Sequence, residues 1–311
     1  MYNTNPKEPP VKDLDNHEPP EPVAELDNQN PSEPVKDSPI KTPKSSMSCI
    51  EVLCITLIII LTPFFYVYDV FYVIPQLMGP FGVTFHAIIG TWISHNILGN
   101  LWACCRKTSS VDTLPPEHRK PPKEEEHLWR YCKECQRVMP PRSWHCKICK
   151  CCILKRDHHC NFTGNCIGHN NQRFFLWLTF YLSFGSGLAL IYNFIFAWQH
   201  GFVLENILKL YVMAFLEGSI EPNYGFRVAI SMVVYVNILC VLFPVIMFIF
   251  EVLMIQRNTV MFNKSNREYD MGVWRNFGQV LGQCQFWTCL SPAINSPLPH
   301  LGTQWKSKNS K

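Results

Sequence analysis

The sequence predicts an all-α integral membrane protein: four transmembrane helices, with a cytosolic cysteine-rich domain between the second and the third. Three observations carry that prediction. Only 17% of the 311 residues are charged, where a soluble chain has about 25%. The apolar residues gather in four blocks, each long enough for the roughly 20 residues that cross a bilayer. Between blocks two and three, residues 132–166 hold eight cysteines and three histidines.

Residues 1–46 come first, with ten prolines and one aromatic, Tyr2. So polar a segment cannot bury enough surface to offset its ordering entropy, and it is expected to be a disordered cytosolic tail. The transmembrane pair spans 50–105. Span one is Ile50–Phe71, with Glu51 and Asp69 only at its ends; span two, Phe81–Cys105, has no charge. The expected cytosolic domain is 106–173. Spans three and four fill 174–255 as Phe174–Trp198 and Val228–Phe250, the latter kinked at Pro244. Between them, about 199–225 forms a lumenal or extracellular loop with a weak interfacial helix over Phe202–Leu216. A cytosolic tail, 256–311, follows.

Orientation comes from the cations. Segment 72–80 has no Lys or Arg and 199–225 has one, whereas 106–173 has fourteen and the tail after 256 has seven. By the positive-inside rule both termini and the 106–173 loop are cytosolic. A reducing compartment fits cysteines that bind metal rather than pair as disulfides.

The spacing in that loop is Cys132-x2-Cys135, then His145-Cys146-x2-Cys149-x2-Cys152, then His159 and Cys166. Thiolates and imidazoles at CxxC spacing suit tetrahedral Zn(II). Two closed sites need eight ligands, and eleven candidates are present. His145 and Cys146 are neighbours whose side chains diverge, so interleaved sites are expected, with the pairing left open by spacing alone. Zinc filled by four protein ligands is structural. The surplus includes Cys160, preceded by Asp157-His158. A His that accepts the thiol proton and an Asp that orients the His are the equipment of a thiol nucleophile. Lys155 and Arg156 nearby favour thiolate.

The run Asp157-His158-His159-Cys160-x5-Cys166-x4-Asn171-x3-Phe175, with the upstream Cys/His spacing, resembles the DHHC family of protein S-acyltransferases (palmitoyltransferases). The resemblance covers about 50–282. It implies two structural Zn(II), one on Cys132, Cys135, His145 and Cys152, the other on Cys146, Cys149, His159 and Cys166. It implies that Asp157 and His158 activate Cys160, which carries a fatty acyl group from acyl-CoA, palmitoyl-CoA above all, to cysteines of membrane-associated proteins. Asn171, and Asn276 in a C-terminal motif beginning Tyr269-Asp270-Met271-Gly272, are expected to hold the structure together. Golgi, endoplasmic reticulum or plasma membrane is the expected location.

An acyl chain needs an apolar cavity between the spans, with Phe162 and Gly185 as candidate lining residues. CoA phosphates need cations, and Lys150, Lys155, Arg156 and Arg173 are candidates. Asn193 and Asn237 are expected to bond between helices. His86 and His95, with no carboxylate inside any span, are not read as a proton relay. The chain departs from the family in Asn161-Phe162, where Pro-Trp is usual, and in Arg257-Asn258-Thr259-Val260-Met261, where Thr-Thr-x-Glu is common. That loss supports a competing reading, a catalytically silent zinc-module adaptor. Nucleic-acid binding is not expected, since the basic residues are interspersed with Glu124-Glu125-Glu126.

Overall fold

A computed structural model describes residues 46–200, 224–261 and 263–308. The Pro-rich tail and most of the 199–225 loop, including the expected interfacial helix, lie outside the described residues.

Helix α1 (Cys49–Tyr68) starts at a reciprocal cap. The Ser48 hydroxyl accepts the Glu51 N–H at 3.3 Å, and the Glu51 carboxylate accepts the Ser48 N–H at 2.6 Å. The helix runs through a π turn, Asp69–Val73, into α2 (Ile74–Arg106). The loop expected over 72–80 therefore shrinks to one break. No turn-forming polar residue precedes Gly79, whose φ of +69° suits only glycine, and Pro80 follows it.

The stretch nonetheless doubles back. Tyr66 Oη lies 2.9 Å from Thr91 Oγ1. At one end Glu51 bonds His159, and at the other Asn165 donates to the carbonyls of Cys104 and Lys107. Both ends thus meet the cysteine-rich module.

Helices α3 (Gln172–Gln199) and α4 (Tyr224–Gln256) complete the helical part. Among the described residues, three stretches are long and apolar enough to cross a membrane: Cys49–Arg106, Gln172–Gln199 and Gly225–Gln256. They expose Ile88, Leu239 and Ile246, a surface suited to lipid. Between α2, α3 and α4, the side chains of Ile93, Ile97, Leu178, Tyr181 and Ile255 form a core. Asn193 donates to Asn237 at 3.1 Å and Asn237 donates to the Ser186 carbonyl at 3.0 Å, the interhelical bonds expected of them.

The cysteine block is the exception to a mostly helical chain. It forms three antiparallel hairpins: β1 (Arg130–Cys132) with β2 (Arg137–Met139), β3 (Trp144–Cys146) with β4 (Cys151–Ile153), and β5 (His158–Cys160) with β6 (Asn165–Ile167). An all-α class is corrected here, for a physical reason. A CxxC knuckle frees its N–H groups for sulfur, as when Cys149 N–H donates to Cys146 Sγ at 3.3 Å. A helix would spend those donors on its own carbonyls.

After α4 the chain turns at Asn258 and forms α5 (Val273–Leu281). The segment beyond it lies back on α2 and α3. Trp92 donates to the Leu290 carbonyl at 3.0 Å, Trp177 to Thr288 at 2.9 Å, and Tyr181 to the Cys289 carbonyl at 2.6 Å.

Candidate active site

The hairpins sort the ligands. Side chains alternate along a strand, so His145, opposite Cys152, and Cys146, opposite Cys151, leave β3 on different sides. Two groups result: Cys132, Cys135, His145 and Cys152; and Cys146, Cys149, His159 and Cys166, each with its four donor atoms within 4.8 Å of one another. Tetrahedral zinc, with bonds of about 2.3 Å to sulfur and 2.05 Å to nitrogen, sets edges of about 3.8 Å between sulfurs and about 3.5 Å from sulfur to nitrogen. Cys135 Sγ lies 3.9 Å from Cys152 Sγ, and Cys149 Sγ lies 3.6 Å from Cys166 Sγ. His145 Nδ1 is 3.8 and 3.3 Å from Cys132 and Cys135 Sγ. His159 Nδ1 is 3.8, 3.3 and 3.6 Å from Cys146, Cys149 and Cys166 Sγ. Both donor sets fit a metal ion.

Cys160 belongs to neither group. Strand β5 carries His158, His159 and Cys160 in succession, so alternation turns His159 to the metal group and its two neighbours the other way. His158 Nδ1 lies 2.7 Å from Asp157 Oδ2. The bond assigns one proton to Nδ1, and the buried Nε2 is left to face the Cys160 thiol. Burial opposes charge on this ring, but the Asp157 bond and Cys160 outweigh it and hold the His158 pKa up at about 10. Phe175 packs its ring against His158, with centroids 5.1 Å apart.

Asp157 is 2% exposed. Its second oxygen, Oδ1, accepts the backbone N–H of Met261 at 2.6 Å. Where a Thr-Thr-x-Glu sequence is missing, the main chain of this same segment grips the acid. Arg142 fixes the segment by donating to Asn258 Oδ1 at 3.0 Å and to the Asn258 carbonyl at 2.7 Å.

Behind Cys160 opens an apolar cavity of about 500 Å³. Phe162 lines it beside Phe243, with ring centroids 4.8 Å apart, and Gly185 lines it further along. A Cβ on Gly185 would meet Ile93 Cγ2 at 2.8 Å, so the glycine also sets how close α2 and α3 pack.

The four cations are dispersed. Lys150 is exposed on the β3–β4 turn and Arg156 is half-buried. Arg173 donates to the Ser296 carbonyl at 2.7 Å. Lys155 is 1% exposed, inside the fold rather than on its surface, with Nζ 5.7 Å from the Trp305 ring centre. Burial first, then the Arg142 charge, brings its pKa down to about 7. Cys151 is buried as well, and burial pushes its thiol up to about 11.

Two asparagines act as staples. Asn171 donates to the carbonyls of Lys107 and Cys166 at 3.0 and 2.9 Å and accepts Gly168 N–H at 2.9 Å. Asn276 donates to the Gln256 carbonyl and to Asp270 at 2.8 Å each, and accepts Met271 N–H at 3.0 Å. Sequence reading overlooked three groups near the site. Glu51 bonds His159, Met261 supplies its backbone, and Glu251, 3% exposed, accepts from Gln172 at 2.8 Å. Of these, only Glu51 left a signal, its capping-box spacing from Ser48.

A mostly helical, membrane-suited chain with two Cys3His groups and a separate Cys–His–Asp row defines a class of zinc-module proteins bearing a free thiol. Residues 125–268 match the model of the DHHC palmitoyltransferase family. Over 184 residues the chain is 35% identical to the probable palmitoyltransferase ZDHHC24 of Danio rerio, covering 57% of this chain and 62% of that protein. Over 166 residues it is 33% identical to the probable protein S-acyltransferase 13 of Arabidopsis thaliana, covering 50% of this chain and 49% of that protein. The chain thus matches 62% and 49% of the length of these two relatives, less than two thirds of either.

Proposed function

We propose that the protein is a protein S-acyltransferase, moving a fatty acyl group from acyl-CoA, chiefly palmitoyl-CoA, to a cysteine of a membrane-associated protein. One observation carries the reading: Cys160 stands outside both Cys3His groups, between His158 and the apolar cavity.

The reaction has two thioester exchanges. Cys160 thiolate attacks the acyl carbonyl, the carbon–sulfur bond to CoA breaks, and the CoA thiolate takes the proton held on His158 Nε2. A substrate thiol then returns a proton to that nitrogen and attacks the acyl-Cys160 carbonyl, and Cys160 leaves as thiolate. Asp157 keeps the imidazole in the orientation both steps need. Cys132, Cys135, His145 and Cys152 would hold one Zn(II), and Cys146, Cys149, His159 and Cys166 the other. When bound, the metals supply folding energy and fixed loop geometry. Phe162 and Gly185 line the path of the acyl chain, and Lys150, Arg156 and Arg173 are the cations offered to CoA phosphates. Lys155 would need the C-terminal segment to move before it met them.

The doubled-back first stretch supports four crossings; with them we propose cytosolic termini, a zinc domain over 106–173, and residence in the Golgi, endoplasmic reticulum or plasma membrane. The test is purified protein in detergent given labelled palmitoyl-CoA. A hydroxylamine-labile adduct, lost in Cys160→Ser, is expected. A zinc-loaded wild type that forms none would make the protein a silent adaptor.

A further inference from the structure

At its end away from Cys160, the cavity turns polar. Asp69, His86 and Tyr192 line it there. His86 is engaged on both nitrogens: Nδ1 lies 2.7 Å from the Gly82 carbonyl and Nε2 lies 2.8 Å from Tyr192 Oη. The carbonyl takes the ring proton, so Nε2 takes the tyrosine's. Asp69 is different. It is 9% exposed, and its Oδ1 has no hydrogen-bond partner among the described residues. Asn193 lies against the same carboxylate. Asp69 also opens the π turn between α1 and α2, a local insertion of the kind that recurs at functional positions.

The depth can be read from the helices. Glu51 touches His159, the residue before Cys160. Asp69 lies eighteen residues further along, about 27 Å at 1.5 Å per residue. An all-trans hydrocarbon advances about 1.25 Å per carbon, given bonds of about 1.5 Å at tetrahedral angles. A palmitoyl chain on Cys160 therefore stops short of Asp69, and a chain of about twenty carbons reaches it. A methyl end there leaves the buried oxygen unsatisfied, whereas a hydroxyl supplies the missing donor.

We infer that the far end of the cavity is a polar seat for the terminal hydroxyl of a long ω-hydroxyacyl chain, with Asp69 as its acceptor. The inference rests on the acyltransferase reading above, and it adds a class of donor. In the seated complex the hydroxyl donates to Asp69 Oδ1. The thioester end meets Cys160 as any other chain does.

The experiment is a competition on the full chain in detergent. Equimolar icosanoyl-CoA and ω-hydroxyicosanoyl-CoA are offered together, and acyl-Cys160 is resolved by intact mass. About a tenfold excess of the hydroxylated adduct is expected, the worth of one hydrogen bond to a buried carboxylate. The shorter pair, palmitoyl-CoA and ω-hydroxypalmitoyl-CoA, should favour the plain chain, because its hydroxyl ends among apolar side chains. Asp69→Leu should bring the long-chain ratio to one or below, and Asp69→Asn, still an acceptor, should keep part of it. Parity or a preference for icosanoyl in the wild type overturns the inference, as does a full preference in Asp69→Leu. Should that variant not fold, the wild-type ratio decides. If no acyl-CoA loads at all, the acyltransferase reading falls and takes this one with it.

Discussion

Glu51 Oε1 lies 2.8 Å from His159 Nε2, on a carboxylate only 1% exposed. The other nitrogen of that ring faces Cys146, Cys149 and Cys166. A carboxylate behind a ligating histidine fixes its tautomer and raises its basicity. The first turn of α1 therefore supports the second Cys3His group.

Removing that support should weaken one metal site and spare the other. Glu51→Ala is expected to lower zinc affinity at the second group about 10- to 100-fold. A chelator-competition titration reads this as one zinc released early out of two. Equal release of both would remove Glu51 from the metal's surroundings.

His158 and His159 are adjacent in sequence and should fail differently. His158→Ala is expected to slow acyl loading about 10²- to 10⁴-fold, the usual worth of a general base, with zinc content unchanged. His159→Ala should lose one zinc and melt earlier. Matching zinc loss in the two variants would contradict the division of roles along β5.

The grip of Met261 on Asp157 is made by the backbone, so it should be blind to the side chain. Met261→Pro removes the donor and is expected to slow loading by about tenfold, taking about 1.5 kcal/mol for a hydrogen bond to a charged group. Met261→Ala should do far less. Single-turnover loading under saturating acyl-CoA separates the two.

The architecture was legible where periodicity and composition speak. Apolar runs longer than a bilayer announced the long helices, the Cys/His spacing announced interleaved metal groups while leaving their pairing open, and Asn193 and Asn237 announced bonds between helices. The register of the hairpins follows once the cysteines must converge. What stayed hidden depends on contacts distant in sequence. Nothing near Glu51 announces His159, more than a hundred residues later. Met261 carries no letter for a backbone donor. Asp69 looked like a helix end, and only the packing of α3 against the first stretch places it in the cavity with His86 and Tyr192. The strands of the cysteine block, three residues each, are too short to show alternation, so the sequence there reads as part of an all-α protein.

Acid should destabilise the protein through His169, which is 3% exposed and stacked on His300 with ring centroids 5.0 Å apart. Burial, little offset by its bond to the His300 carbonyl, pulls its pKa down to about 3. The sign follows from linkage: the unfolded chain takes up a proton below about pH 6.5 that the folded chain refuses. Stability from this group is complete above pH 6.5 and is lost as pH falls toward about 3. At pH 4.5 the loss is about 2 to 3 kcal/mol. His169→Phe should flatten the slope of melting temperature against pH between 6.5 and 4.5 relative to wild type. An unchanged slope would exclude His169 as its source.

The bonds from Trp92, Trp177 and Tyr181 to residues 288–290 bear on how the chain is made. Those aromatic donors are synthesised first, and their acceptors follow more than a hundred residues later. A ribosome that stopped after α5 would release a bundle in which the indole of Trp177 and the phenol of Tyr181 lack their acceptors, at about 1 to 3 kcal/mol for each that stays out of water. Late nonsense and frameshift alleles should thus behave as quality-control substrates, cleared before they reach their working membrane, although every ligand and the nucleophile would already be in place.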